Sequence, residues 1–464
     1  MSADRTIANT AANTAATAAS AARVSYWQVV LGQLRKNHVA MFAWRLVQGL
    51  LLVAVAAPVL AFNVPLLHAS DVGLRTPLLS SLFDRTLFEG GVDVFFNLML
   101  LVAPAWLLAR RLFRRGPDGP VLSVVRAVLL AVVLAIELFA ATGGRAAMWI
   151  AVAGVAVPGA ALLAFAARAG RPTPKAVRLL CLFVFVVGLG AIVSRDQETT
   201  LPQVWRGPSA AVGGAMWFPP VPYHPNAVGE PEARARARSR PDRHNWLGCD
   251  VNGRDVVTRI VFGSRISVTI GLVGVSIYIL IGVLLGSLAG YYGGKVDLAI
   301  MRLVEIMICF PTMFLLLTII AVFESRSIFL IMAAIGFVGW PGVTRLVRGE
   351  FLRQRNLDYV TAARALGLKE RRVIFRHVLP NCLGPVLVSA TFGIAGAILT
   401  ESGIAFLGLG DQTAVSWGQM LTTGRSSQEW HLILVPGFAI FFVVTVFNLL
   451  GEGLRDALDP KLRR

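Results

Sequence analysis

An all-α, polytopic membrane protein of about ten transmembrane helices is the fold class that this sequence predicts, on three observations. Of 464 residues, 56% are hydrophobic and 15% charged, with a mean hydropathy of +0.67, a balance that soluble globules do not show. Apolar runs of about twenty residues, enough to cross a bilayer, recur along the chain. The basic residues gather between those runs, as they do where loops face the cytoplasm.

In chain order, residues 1–40 read as a cytoplasmic tail and lead-in. The first 22 are rich in Ala, Thr and Ser, lack the apolar centre of a cleavable signal, and are expected to be disordered. The first span covers 41–62. Region 63–194 carries four more, at 89–109, 121–141, 147–167 and 176–194. A long loop, 195–258, leads to five further spans at 266–290, 300–323, 327–347, 385–408 and 432–450, and 457–464 is a basic tail.

Orientation follows from the charges. Arg35 and Lys36, then Arg110, Arg111, Arg114 and Arg115, then Arg168, Arg171 and Lys175 share one face if the N-terminus is cytoplasmic. The same threading places loop 349–384 and the C-terminus in the cytoplasm. Arg234, Arg236, Arg238, Arg240 and Arg243 then lie outside, in a loop too long for the rule to bind. The Pro-rich stretch Trp217–Pro225 in that loop reads as extended chain, and the Arg-Ala alternation at 233–238 as a solvated linker. With 44 Lys+Arg against 26 Asp+Glu the net charge is +18, which the positive-inside rule explains without a nucleic-acid partner.

The sequence holds no Gly-x-x-x-x-Gly-Lys-Ser/Thr phosphate loop, so the chain is not expected to hydrolyse ATP, and no catalytic residue, cofactor or metal site is expected. Cys181, Cys249, Cys309 and Cys382 are isolated, and His68, His224, His244 and His431 show no ligand spacing. Charges within the spans carry an insertion cost of about 2.5–3.5 kcal/mol near the bilayer centre, which marks Arg126, Glu137, Glu305 and Glu401. Arg302 and Glu305 are spaced to pair on one helix face, and Glu401 either lines a path or sits at the outer interface.

Segment 358–381 stands apart, being polar and helical in pattern between two spans. Ala362, Ala363, Ala365 and Leu366 fall on a short helix with small residues on a docking face, and Gly367 is placed to end it through a left-handed cap. Val373, Ile374 and Phe375, among Arg371, Arg372 and Arg376, form a second short stretch that stops at Leu379-Pro380-Asn381. The expected result is a helix–turn–helix across the membrane face, sized for a groove on a soluble partner.

Ala362-Ala363-x-x-x-Gly367, with Leu379-Pro380 after it, resembles the coupling-helix signature of ABC-importer permeases. Thr361 stands where that family has glutamate, and His377 where it commonly has isoleucine. Three further segments are similar to the dipeptide, oligopeptide and nickel branch. They are Trp246–Asp255 with Arg259, Gly263, Arg265 and Ser267; Gly290–Asp297 with Met301, Arg302 and Glu305; and Phe447–Pro460. Cys249 replaces the family's usual threonine. Arg35-Lys36-Asn37 leading to Ala57-Pro58 is similar to that family's first helix, so the spans within 63–194 read as an insertion.

The resemblance implies a type I ABC-importer permease core over 259–456, of the C-type subunit, with coupling loop 349–384. It implies Thr361, Ala362, Ala363, Arg364, Ala365, Leu366, Gly367, His377, Leu379 and Pro380 as the ATPase-coupling residues, with Arg302, Glu305 and Glu401 as path or structural charges. Implied partners are a second homologous permease, two ABC ATPase subunits, an extracytoplasmic solute-binding protein and membrane lipid, in the plasma (inner) membrane. The cargo would be di- or oligopeptides, with nickel chelates or other small solutes as the alternative. An ion-coupled secondary transporter using Glu137, Glu305 and Glu401 as a relay is the reading from a different class, and it leaves the coupling segment unexplained.

Overall fold

The computed structural model describes residues 32–70, 73–82, 87, 88, 90–100, 215–226, 236–323 and 326–458. The expected spans 121–141, 147–167 and 176–194 and the part of 89–109 beyond residue 100 lie outside these residues, as do Arg126 and Glu137. Among the described residues, five helices are long and apolar enough to cross a membrane, or six if one bent pair is a single span.

The helices are α1 (His38–Leu60), the short α2 (Pro77–Ser81), α3 (Gly91–Leu100), α4 (Val256–Tyr292), α5 (Gly294–Cys309), α6 (Thr312–Val322), α7 (Ile328–Gln354), α8 (Asp358–Ala365), α9 (Glu370–Phe406), α10 (Trp417–Ser427) and α11 (Trp430–Leu458). Four of the five expected core spans each fall on one helix. Side-chain caps set several of the starts, among them Asn37 accepting from the Ala40 N–H at 3.1 Å and Asp255 from the Thr258 N–H at 2.8 Å.

α4 is the axis of the fold and touches α1, α5, α7, α9, α10 and α11. Its 37 residues run about 55 Å, well beyond the roughly 30 Å hydrocarbon layer, so its ends stand in the interfaces or in water. Gly282, Gly286 and Gly290 repeat every fourth residue and lie on one face. A Cβ on any of them would come within 2.5–2.7 Å of Val343, Thr344 or Phe351 of α7. The missing side chains let the two backbones meet, which drives helix pairing where lipid supplies no hydrophobic force.

The span expected at 300–323 is not a single helix. α5 and α6 are bent by 84° at Phe310-Pro311. Proline supplies no N–H and disfavours helical geometry in the residue before it, and Phe310 accordingly sits extended at φ −87°, ψ 129°.

The described residues also form a small antiparallel sheet that the helical reading missed. Strands β1 (Leu67–Ser70), β2 (Gly73–Arg75) and β3 (Ala215–Trp217) order as β2-β1-β3, with Leu67 opposite Trp217. Strands from either side of the stretch 76–214 are thereby paired. Beyond β3, Val221 exchanges backbone bonds with Leu60 and Phe62, and the Tyr223 N–H turns back to the Val221 carbonyl at 3.0 Å.

Candidate functional site

The coupling segment begins as α8 leaves the end of α7. Val360 and Ala363, three apart, are buried in the main core, so one side of α8 is fixed from within. Ala363 therefore lies off the docking face on which the sequence pattern placed it. Thr361, Ala362, Arg364, Ala365, Leu366 and Gly367 are exposed, Leu366 at 81%.

Gly367 ends α8 as expected, with φ +71°. Its N–H donates to the Arg364 carbonyl at 2.9 Å and the Leu368 N–H to the Ala363 carbonyl at 3.3 Å, the paired bonds of a Schellman cap.

The second half differs from expectation. It does not stop at Leu379-Pro380 but runs unbroken into the span, as one helix from Glu370 to Phe406. The reason is a wide π turn over Val373–Val378, in which the Leu379 N–H reaches back five residues to the Ile374 carbonyl. An α-helical turn would drive the Pro380 ring into the Arg376 carbonyl, and the wider turn avoids that clash. Asn381 Nδ2 then donates to the His377 carbonyl at 2.9 Å. Val373, Ile374 and Val378 are buried, while Phe375 is 50% exposed beside Lys369, Arg371 and Arg372, with which it lines a shallow depression.

The segment is also tied sideways. Tyr359 Oη donates to Gln354 Oε1 at 2.7 Å, and burial pushes the Tyr359 phenol up from its ordinary pKa. Arg355 Nη1 donates to the Gly290 carbonyl at 3.1 Å, capping the end of α4. The Arg364 guanidinium lies 5.1 Å from the centre of the Tyr291 ring. Sequence reasoning used Gly290–Asp297 only as a mark of resemblance and missed this contact. The signal available was the doubled tyrosine followed by doubled glycine.

The remaining candidates lie elsewhere. Arg302 and Glu305 pair at 2.6 Å on the exposed face of α5, 68% and 50% exposed, so the structure brings them to each other and not to the coupling segment. Glu401 is buried near the outer end of α9, with Ser402 Oγ at 3.5 Å and Ser416, the N-cap of α10, also in reach. α10 itself is seated on the core. Trp417 Nε1 donates to the Ile260 carbonyl at 3.0 Å, and Thr422 Oγ1 to the Ala405 carbonyl at 2.7 Å.

Two buried arginines organise the outer half. Arg259 Nη1 donates to the Pro225 carbonyl at 3.1 Å and Nη2 to Gln419 Oε1 at 2.8 Å, joining the outer loop, α4 and α10. Arg265 Nε donates to the Ala54 carbonyl at 2.8 Å. That carbonyl has no helical partner because Pro58, four residues on, has no N–H. Arg265 also holds Asp93 at 3.0 Å and Asn97 at 2.9 Å, both from α3.

Comparison with known proteins follows this geometry. Residues 282–464 match the family described as binding-protein-dependent transport system inner membrane component. The oligopeptide transport system permease protein OppC of Haemophilus influenzae is 40% identical over 54% of this chain and 79% of its own length. The dipeptide transport system permease protein DppC of Alkalihalophilus pseudofirmus is 43% identical over 48% and 74%. The di/tripeptide permease protein DppC of Pseudomonas aeruginosa is 42% identical over 47% and 72%. With a capped, core-anchored segment between two spans and relatives matched over most of their length, the chain belongs to the inner-membrane permease components of binding-protein-dependent ABC transport systems, in the branch of the C-type oligopeptide and dipeptide permeases.

Proposed function

We propose that this chain is the membrane subunit of an ATP-driven importer for di- or oligopeptides, docking through residues 358–381 on a separate ATPase. Supporting partners are a second permease, a pair of ATPase subunits and an extracytoplasmic binding protein, in the inner membrane with both termini cytoplasmic. The reading rests most on one observation: the outward row Ala362, Ala365, Leu366 and Gly367 is bare, while Val360 and Ala363 lock the same short helix into the core. A bare apolar tip on a rigid mount suits insertion into a groove on a partner, and a rigid mount is what transmits displacement.

In operation, ATP-driven closure of the ATPases would pull the coupling segments together. The spans would then rock to open the path on the opposite face. Arg302, Glu305 and Glu401 remain structural charges in this scheme. Region 63–194 reads as an insertion between the first span and the loop that leads to the 259–456 core.

The test is reconstitution with the partner subunits, with ATP-dependent uptake of a labelled dipeptide as readout. Leu366→Asp leaves the core face untouched, and it is expected to lower uptake at least about tenfold and to release the ATPase on purification. Undiminished uptake, or uptake that needs no ATP, would show the docking assignment to be wrong. Uptake of a nickel chelate in place of peptides would change the cargo and keep the machine.

A further inference from the structure

The coupling segment is covalently joined only to α7 and α9, yet α4 is the helix on which the core is built. Motion reaching α4 from the segment must therefore cross a non-covalent contact. One is present at the cytoplasmic end of α4. Tyr291 is buried, with the Arg364 guanidinium 5.1 Å from its ring centre. Tyr292 stands edge-on to Tyr291, with ring centres 5.3 Å apart at 85°. Arg364 lies in the last turn of α8, immediately before the Gly367 turn, so the contact with Tyr291 lies at the turn itself.

We propose that the Tyr291-Tyr292 pair is a second receiving point for displacement of the coupling segment, gripped by Arg364, so that α4 is driven directly as well as through α7. This rests on the ATPase-docking role proposed for the segment. Two features fit the assignment. The Tyr291 hydroxyl is buried without a hydrogen-bond partner among the described residues, so the position is held for its ring and not for its polar group. Directly after it, Gly293 and Gly294 have φ of +68° and +53°, a joint that few other residues adopt, across which α5 can turn while α4 follows the segment. Tyr291 and Tyr292 act here as positioning residues that touch neither cargo nor nucleotide.

The experiment uses the full reconstituted complex and reads peptide transported per ATP hydrolysed, which a merely structural role would not move in correctly assembled protein. Tyr291→Leu keeps an apolar side chain and removes the ring, and it is expected to lower that ratio at least about threefold. Tyr291→Phe keeps the ring and is expected to restore the wild-type ratio. If Tyr291→Leu does not assemble, the half-exposed Tyr292→Ala decides, because it removes the edge-on support of the Tyr291 ring without opening the core. A wild-type ratio in the assembled leucine variant, or in Tyr292→Ala where that one decides, overturns the proposal, as does a Phe variant as impaired as Leu. Absence of ATP-dependent uptake in the wild-type complex would instead refute the docking role itself.

Discussion

Removing Asp93 should destabilise the core severely although it lies 172 residues before its partner Arg265. Arg265 is 0% exposed and spreads its donors over the Ala54 carbonyl, Asp93 and Asn97, between the rings of Phe96 and Phe262 at 5.4 and 5.1 Å. Asp93 is 24% exposed and supplies the compensating charge. Asp93→Leu leaves a buried guanidinium without a counter-ion, which costs about 3–5 kcal/mol. At roughly 2 °C per kcal/mol, the midpoint of thermal unfolding in detergent should fall by about 6–10 °C. Arg265→Met leaves the Ala54 carbonyl, freed by Pro58, and the Asn97 amide unsatisfied, for about 2–3 kcal/mol. The double variant should cost no more than Arg265→Met alone, giving a coupling energy of at least about 3 kcal/mol. Additive effects, or an Asp93→Leu midpoint within 1 °C of wild type, would refute the argument that α3 completes the Arg265 site.

Gly286→Leu should abolish folding, since even a Cβ there would lie 2.7 Å from the Thr344 carbonyl oxygen; a monodisperse gel-filtration peak would count against the close α4–α7 approach. Gly367→Ala meets open space but must hold φ +71°, so it should weaken the α8 cap by about 1–2 kcal/mol, read as faster amide exchange at Leu368, with global unfolding little changed. On the outer face, the N–H groups of Asn245 and His244 hold the Asp242 carboxyl below its ordinary value of 3.8. A lowered folded-state pKa gives stabilisation that is complete above the ordinary value and lost as pH falls through the lowered one. Exchange protection of those two amides, corrected for intrinsic rate, should hold from pH 7 to 5 and fall only below about pH 3.8; loss near neutrality would contradict it.

Much of the coupling segment could be read from the chain because its determinants are local. Gly367 caps α8 for the reason its type suggests, and Arg302 pairs with Glu305 three residues on, since helix geometry alone brings them together. Pro380 misled, because a proline after an amphipathic stretch ordinarily ends a helix. Whether a π turn absorbs it depends on Val373, Ile374 and Val378 being held in the core. Ala363 was misplaced for a related reason: among Ala362, Ala363 and Ala365, side-chain size does not say which one faces inward.

The sequence by itself determined the membrane class, the core spans and the capped segment between two of them, because hydropathy, charge asymmetry and glycine caps act over short stretches of chain. Only the tertiary structure decided that Arg364 of segment 358–381 lies against Tyr291 of α4 and that Asp93 reaches Arg265. Those contacts join residues 73 and 172 positions apart, and their existence depends on how close the glycine faces and a proline-freed carbonyl let the helices come.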